Sequence, residues 1–354
     1  MRKIGFRYNL LRNGAYYAQL RALDSAAPQI RMEDTAEIKM SFTGTFAPYA
    51  VASDWSLREI NWLTDEIQPV LVIDGVRHPL GVFMPATPID TEVSGLRSVR
   101  VEAYDRSWRV RDTRAETLPY WPAGTPVLDA VNQLLTASGI QAVFKTPSAA
   151  TFGEAREDWD VGTSYLEIAN QLLAEISYNP LWFDSSGNAI LEPVSVPNAD
   201  KIDHRFNSAD PETRVLPQIS RQTDIYSAPN VWICTCANPD KDGLLTAVAA
   251  NENPQSPLST VRRGRRICEK VQVDNIASQA DLQKYANRLR DQSMITGETI
   301  QITTGLLPGF GVGDVVAVNF GELSALCIER GFDMELAVGG LMRHRLEKVV
   351  YNLD

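Results

Sequence analysis

Four cysteines (Cys234, Cys236, Cys268, Cys327) without a Cys-x-x-Cys pair, and three histidines (His78, His204, His344), are too few and too scattered for a zinc site or a disulfide framework. The sequence therefore gives no metal ligand and no cofactor-binding residue, and synthesis in a reducing compartment fits. No stretch approaches the roughly 18 apolar residues of a membrane span. The start, Met1-Arg2-Lys3-Ile4-Gly5-Phe6-Arg7, lacks the apolar core and small-residue cleavage site of a secretion signal. No membrane insertion is expected. Positive charge is also scarce: 34 Lys and Arg stand against 44 Asp and Glu, a formal net charge of −10. That balance works against wrapping nucleic acid, because phosphate binding needs clustered cations to displace counterions.

What is present is 354 residues, 44% of them apolar, enough to bury two or three cores. Up to about residue 118 the signals are those of strands. Residues 35–46 alternate loosely, and Val70-Leu71-Val72-Ile73 meets Val76 across Asp74-Gly75, a dipeptide suited to a type I′ turn. Residues 79–85 and 99–105 continue the pattern, which predicts a half-buried antiparallel sheet curling into a sandwich or barrel.

The pattern changes at Pro119. Thr125 as a cap and Pro126 at the first helical position predict a helix with a stripe of Val127, Leu128, Val131, Leu134 and Leu135, stopped by Gly139. Ser164 and Glu167 have the spacing of a capping box for a second helix that buries Leu166, Ala169, Leu172, Leu173 and Ile176. Ser185-Ser186-Gly187-Asn188 then reads as a hairpin turn. Residues 231–236 read as a strand and residues 238–260 as a long surface loop. A third helix is expected from Ser278 and Asp281, with Leu282, Tyr285, Ala286 and Leu289 as its stripe and Gly297 as its stop. From Glu298 the chain is strand-rich again, through Val315-Val316-Ala317-Val318 to Val349-Val350-Tyr351. No repeat of fixed period is read in the sequence.

Several groups invite a chemical reading. Glu154, Glu157, Asp158 and Asp160 crowd together, but a glycosidase needs two carboxyls facing each other about 5–10 Å apart and one in a buried setting; a solvated acidic loop is the favoured reading. Cys234 and Cys236 share a strand face, as core residues do. Arg262-Arg263-Gly264-Arg265-Arg266 is the one basic run, read as a subunit contact or solvated loop ahead of nucleic-acid binding. Gly305, Gly309, Gly311 and Gly313 precede a strand, whereas a dinucleotide fingerprint opens a helix. Asp24, Asp34, Ser53, Ser56 and His78 form no nucleophile motif. No catalytic residue is assigned.

Spread over most of the chain are Ile73-Asp74-Gly75 with Leu80-Gly81-Val82-Phe83, Ala123-Gly124-Thr125-Pro126 leading to Gly139-Ile140, residues 159–187, Ser227-Ala228-Pro229-Asn230-Val231, and Pro308 followed by Val312-Gly313-Asp314-Val315-Val316. In their order and spacing these groups resemble the tail hub and baseplate hub family of tailed phages and phage-derived injection machines. The resemblance implies an α+β, mostly β fold with two tail-tube-like β-barrel domains and an intervening helix-containing module. The first barrel would be residues 1–118, the module 119–205 plus 239–296, and the second barrel 206–238 plus 297–354. It further implies a structural homotrimer in the virion, a pseudo-sixfold ring at the tail tip or baseplate, synthesised in the bacterial host cytoplasm. Its partners would be tail tube or distal tail proteins and tip or fibre proteins, with DNA passing through the lumen during ejection without specific binding. Some hubs carry a fused peptidoglycan-cleaving domain, for which the length to Asp354 leaves no room. The alternative is a β-rich cell-wall hydrolase, peptidase or glycosidase, of the tail tip with its site near Asp158; a carbohydrate-binding module comes third.

Overall fold

The computed structural model describes residues 3–349 except 24–26, 142, 195–196, 198–199, 208–214, 217–218, 224–227, 238–243, 274–278, 293–294 and 322. Nine strands come first: β1 (Ile4–Arg12), β2 (Ala15–Ala22), β3 (Gln29–Glu33), β4 (Met40–Val51), β5 (Leu57–Arg58), β6 (Glu66–Ile73), β7 (Val76–Pro79), β8 (Phe83–Val93) and β9 (Leu96–Asp105). A mixed stretch follows, of α1 (Ser107–Asp112), α2 (Val127–Ala137), β10 (Val143–Lys145), α3 (Tyr165–Glu175), β11 (Trp182–Phe183) and β12 (Ala189–Leu191). The remainder holds β13 (His204–Asn207), β14 (Ile219–Thr223), β15 (Val231–Ala237), β16 (Leu244–Ala250), α4 (Thr260–Arg263), β17 (Cys268–Val273), α5 (Gln279–Gln292), β18 (Ile295–Gly305), β19 (Val315–Phe320), β20 (Leu323–Glu335) and β21 (Leu341–Val349). The fold is α+β and mostly β. It divides into two compact units, one of Met1–Val194, Thr304–Val312 and Gly331–Arg343, the other of Ser195–Thr303, Gly313–Arg330 and His344–Asp354.

In the first unit the sheet closes on itself. β4 pairs with β2 and β3 along one edge and with β9 along the other, and β1, β6 and β8 complete the ring. Asn13-Gly14, Asp74-Gly75 and Ser94-Gly95 all hold positive φ, the backbone that lets a two-residue turn follow the twist of a hairpin. Inward side chains alternate along β4, so that Phe42 and Phe46 are fully buried beside Tyr8 and Phe83. The strand begins at Met40 rather than Thr35, because residues 34–38 form a turn and bends.

The helical part of this unit contains a duplication that the sequence reading missed. Trp159 lies 38 residues after Trp121, and at the same offset Gly124, Thr125, Leu128, Asn132, Gln133, Leu134 and Leu135 meet Gly162, Thr163, Leu166, Asn170, Gln171, Leu172 and Leu173. Structure follows sequence. Trp121 Nε1 donates to Gln133 Oε1 at 2.9 Å and Trp159 Nε1 to Gln171 Oε1 at 2.6 Å, and the Thr125 and Thr163 hydroxyls donate to Pro122 O and Asp160 O at 2.8 Å each. The copies are cross-bridged, since Val127 N donates to Ala150 O ahead of the second copy, and Tyr165 N to Thr113 O ahead of the first.

That bridging corrects the start expected for the first helix and the capping bond expected at the second. Pro126, not Thr125, is the N-cap of α2, and Ser164 is the N-cap of α3 without a side-chain capping bond, its Oγ buried with no hydrogen-bond partner. A neighbouring main chain supplies the acceptors that caps would otherwise provide.

The hairpin β11–β12 packs onto the barrel. Gly81 N donates to Ser185 O at 2.9 Å, and Arg106, which grips buried Glu66 through two bonds of 2.9 and 2.7 Å, also donates to Gly187 O at 2.8 Å.

In the second unit the strand order is β14-β18-β21-β20-β19-β13, with β13 parallel to β19. Its core includes Val315, Ala317, Leu326 and Ile328. His344 Nδ1 and Glu329 Oε2 sit 2.7 Å apart with both side chains fully buried. A separate three-stranded sheet, β16-β15-β17, packs Trp232, Cys234 and Cys236 against Leu282 and Ala286 of α5. Residues expected as a continuous surface loop therefore include a strand, β16, whose inward positions Ala247 and Ala249 are too small to signal one. Helix α5 ends at Gln292, and Gly297, expected as its stop, falls inside β18. The proposed cap Ser278 and the terminal Val350 and Tyr351 lie outside the described residues.

Gly187 has φ +81, and a Cβ there would meet Val82 at 2.7 Å. Gly187→Ala therefore destabilises the protein by about 2–4 kcal/mol, from left-handed strain plus overpacking, read as a lower urea midpoint.

Candidate functional site

One end of the first barrel gathers exposed apolar side chains. The register of β4 with β9 and β2 brings three segments to that end: the β1–β2 hairpin with Tyr16, residues 52–65 including β5 with Trp55, Leu57 and Leu63, and the β8–β9 hairpin with Ile89, Val93 and Leu96. Trp55 is 85% exposed and Leu63 is 91% exposed. Beyond Val99 the hairpin leaves β4, whose edge is taken by β5, and residues 87–97 are exposed on both faces. Ile89, Val93 and the cross-strand Leu96 share one face; Asp90 and Arg97 form an ion pair on the other. A two-stranded ribbon without a covering surface is marginal in water.

This end is held in place. Arg12 makes a two-bond contact with Asp65 at 2.7 Å each and lies 3.8 Å over the Tyr17 ring. Asp65 also accepts from Asn61 N at 2.8 Å, and Asn61 Oδ1 from Leu63 N at 3.1 Å. Trp55 has φ +65, a conformation that costs a bulky residue about 1–3 kcal/mol and persists only where the surroundings impose it. The turn around it is closed by Ser56 N donating to Asp54 Oδ1 at 3.0 Å, Trp55 N to Ala52 O at 3.0 Å and Ala52 N to Ser56 O at 2.9 Å. The available sequence signal was an aromatic set among turn formers, Ser53-Asp54-Trp55-Ser56.

The groups with chemical promise are placed otherwise. Glu154, Glu157, Asp158 and Asp160 are exposed. Asp158 pairs with Arg156, which also bonds Glu175 at 2.7 and 2.9 Å and lies between the Phe152 and Trp159 rings. Burial works against the Arg156 charge, but these carboxylates outweigh it and hold the guanidinium above its ordinary range. Arg156 is thus a structural tie within the duplicated helices. Cys234 and Cys236 are buried thiols, and burial pushes the Cys234 thiol up. Burial likewise pushes Cys327 up to about 12. His204 sits 3.1 Å from Asp314, and His78 is half-buried in β7. Asp34 and Ser56 belong to turns, and Asp24 lies outside the described residues. Within residues 305–313, Leu307, Phe310 and Val312 line an apolar crevice with Phe332 and Trp182. That lining is unsuited to phosphates. Among the described residues no group of three His, Cys, Asp or Glu side chains could hold a metal ion, and no helix is long and apolar enough to cross a membrane.

No protein-family model matches the sequence, and no curated protein matches it. Solved structures do match in fold. A tail protein from Neisseria meningitidis aligns with a TM-score of 0.69 at 15% identity over 97% of this chain and 96% of its own. The 43 kDa tail protein of prophage MuSo2 from Shewanella oneidensis gives 0.66 at 12%, over 97% and 98%. An E. coli type VI secretion component, itself structurally similar to the T4 tail proteins gp27 and gp5, gives 0.52 at 9%, over 99% of this chain and 77% of its own. The chain has the fold of phage tail proteins from end to end.

Two outcomes follow from this geometry. Trp55→Gly does not lower the thermal midpoint, since glycine adopts φ +65 freely; a fall would make Trp55 a stability residue. At pH 8 a maleimide labels Cys268 rapidly in the native protein, while Cys234, Cys236 and Cys327 react only in denaturant, as counted by intact mass.

Proposed function

We propose that this chain is a structural, non-enzymatic hub protein at the distal end of a phage or phage-like tail. Three copies form a ring that offers two tube-like lobes per subunit, the closed barrel and the six-stranded sheet of the second unit, to a sixfold tail tube. The hub joins that tube to tip or fibre proteins in the virion and lets DNA pass, after synthesis in the host cytoplasm. The observation that carries this reading is the full-length likeness to two tail proteins, which leaves almost no part of either chain unmatched. The apolar barrel end supports it, because a large exposed apolar surface on a rigid frame suits a permanent neighbour. A net charge of −10 works against binding of DNA phosphates, as suits a conduit through which DNA slides. Edge strands and apolar patches would be covered as the ring closes.

Light scattering on the purified protein should give the mass of three chains or of a larger ring, and images down the axis should show three- or sixfold symmetry around a hole. A single chain at all concentrations, or a cleared cell-wall zymogram, would sink this reading.

A further inference from the structure

The basic run Arg262-Arg263-Gly264-Arg265-Arg266 is carried on an unusually well-fixed loop of the second unit. Beneath it Asn230, Asn251, Ser256 and Ser259 are all buried. Asn230 donates to Leu258 O at 3.1 Å and Arg265 O at 3.0 Å and accepts from Ile267 N at 2.7 Å. Asn251 donates to the Ser256 hydroxyl at 3.1 Å, and the Ser259 hydroxyl caps α4 by accepting from Arg262 N at 3.2 Å. Buried amides are expensive unless fully bonded. Here that cost goes into fixing the backbone of a loop whose Arg262, Arg265 and Arg266 side chains stand exposed. Holding the main chain still lowers the entropy lost when those guanidiniums bind.

The opposite charge is concentrated in one stretch of the chain. Residues 115–194 carry ten carboxylates and two cations, a net −8 of the whole chain's −10. Both cations are already engaged, Lys145 with Asp129 at 2.9 Å and Arg156 with Glu175 and Asp158. The exposed Glu116, Glu154, Glu157 and Asp160 remain to face outward.

We propose that the arginine loop of one copy docks on the acidic helical module, residues 115–194, of a second copy of this chain. The idea rests on the ring reading above. Two different patches meeting head to tail make a heterologous contact, the kind that closes a ring. Nucleic acid is the poorer occupant: a run of four arginines displaces few counterions, and the surrounding chain repels phosphates. Charge complementarity of this kind fixes register and partner choice more than bulk affinity.

The test uses the full chain and light scattering at 50 and 150 mM salt. R265E/R266E and, separately, E154R/E157R should each raise the ring's dissociation constant at least tenfold, and combining them should restore assembly. Because these side chains are exposed, thermal midpoints should match the wild type; R265A/R266A, with a weaker loss of assembly, serves if reversal prevents folding. A wild-type ring left intact by the reversals, or a charge swap that restores nothing, overturns this contact alone. A wild type that never assembles overturns the ring reading and the contact with it. Retention of duplex DNA by the wild type, lost in R265E/R266E, assigns the loop to phosphates and overturns it too.

Discussion

Pairing of β4 with β9, from Ser41 opposite Tyr104 to Phe46 opposite Val99, is the constraint on which the first unit depends. Without it β4 and β9 would be the free edges of an open sheet, and free edges invite other strands. With it, Phe42, Phe46 and Phe83 are brought into one aromatic core, with ring centroids 6.1 and 5.5 Å apart. Gly44 lies between the two phenylalanines of β4, where a Cβ would come within 2.9 Å of the Phe46 ring. The same pairing decides where function can sit. It stops at Phe46, so β4 continues toward Val51 with β5 beside it while the β8–β9 hairpin swings free, and the barrel end opens into loops.

The helical module solves a different problem by repetition. Eleven-residue helices such as α2 and α3 are marginal alone. Each is locked by an indole that reaches a glutamine within its own copy and by main-chain bonds to the segment preceding the other copy. Trp121 and Trp159 meet edge to face at 5.7 Å, and Arg156 bonds backbone to backbone with Trp121 while its guanidinium ties down the α3 carboxylate Glu175. Because apolar side chains fill the interior, with Arg156 among them, the carboxylates of this stretch lie at its surface. Their concentration there follows from how the core is built.

Much of this was legible in the sequence, for identifiable reasons. Asp74-Gly75 and the stripe Val127, Leu128, Val131, Leu134 and Leu135 are local signals, and local signals survive folding. The first cap falls at Pro126 rather than Thr125, and Ser164 caps the second helix without a side-chain bond, because Ala150 O and Thr113 O take the acceptor places at the helix amides. Nothing adjacent in sequence announces such a partner. Strand β16 was hidden because alanine carries little strand preference. The duplication was visible as residues but sits at an offset whose identities are scattered between unlike neighbours. The apolar barrel end was the least legible feature, since its three segments are joined by strand register alone, and register is set by closure.

Where strain and unusual burial occur is informative about what the molecule is for. Several buried ionisable groups are tied to charged or ionisable partners: Glu66 to Arg106, Asp65 to Arg12, Arg156 to Glu175, and Glu329 Oε2 to His344. The unfavourable conformations and the buried amides instead support exposed features, Trp55 at φ +65 on the barrel end and Asn230 beneath the arginine loop. Apolar contact at one end supplies affinity without direction, whereas a fixed charged loop supplies direction with little affinity. In the ring proposed for this chain a subunit must be gripped firmly and in one orientation, which needs both, on surfaces stiff enough that assembly does not first have to order them.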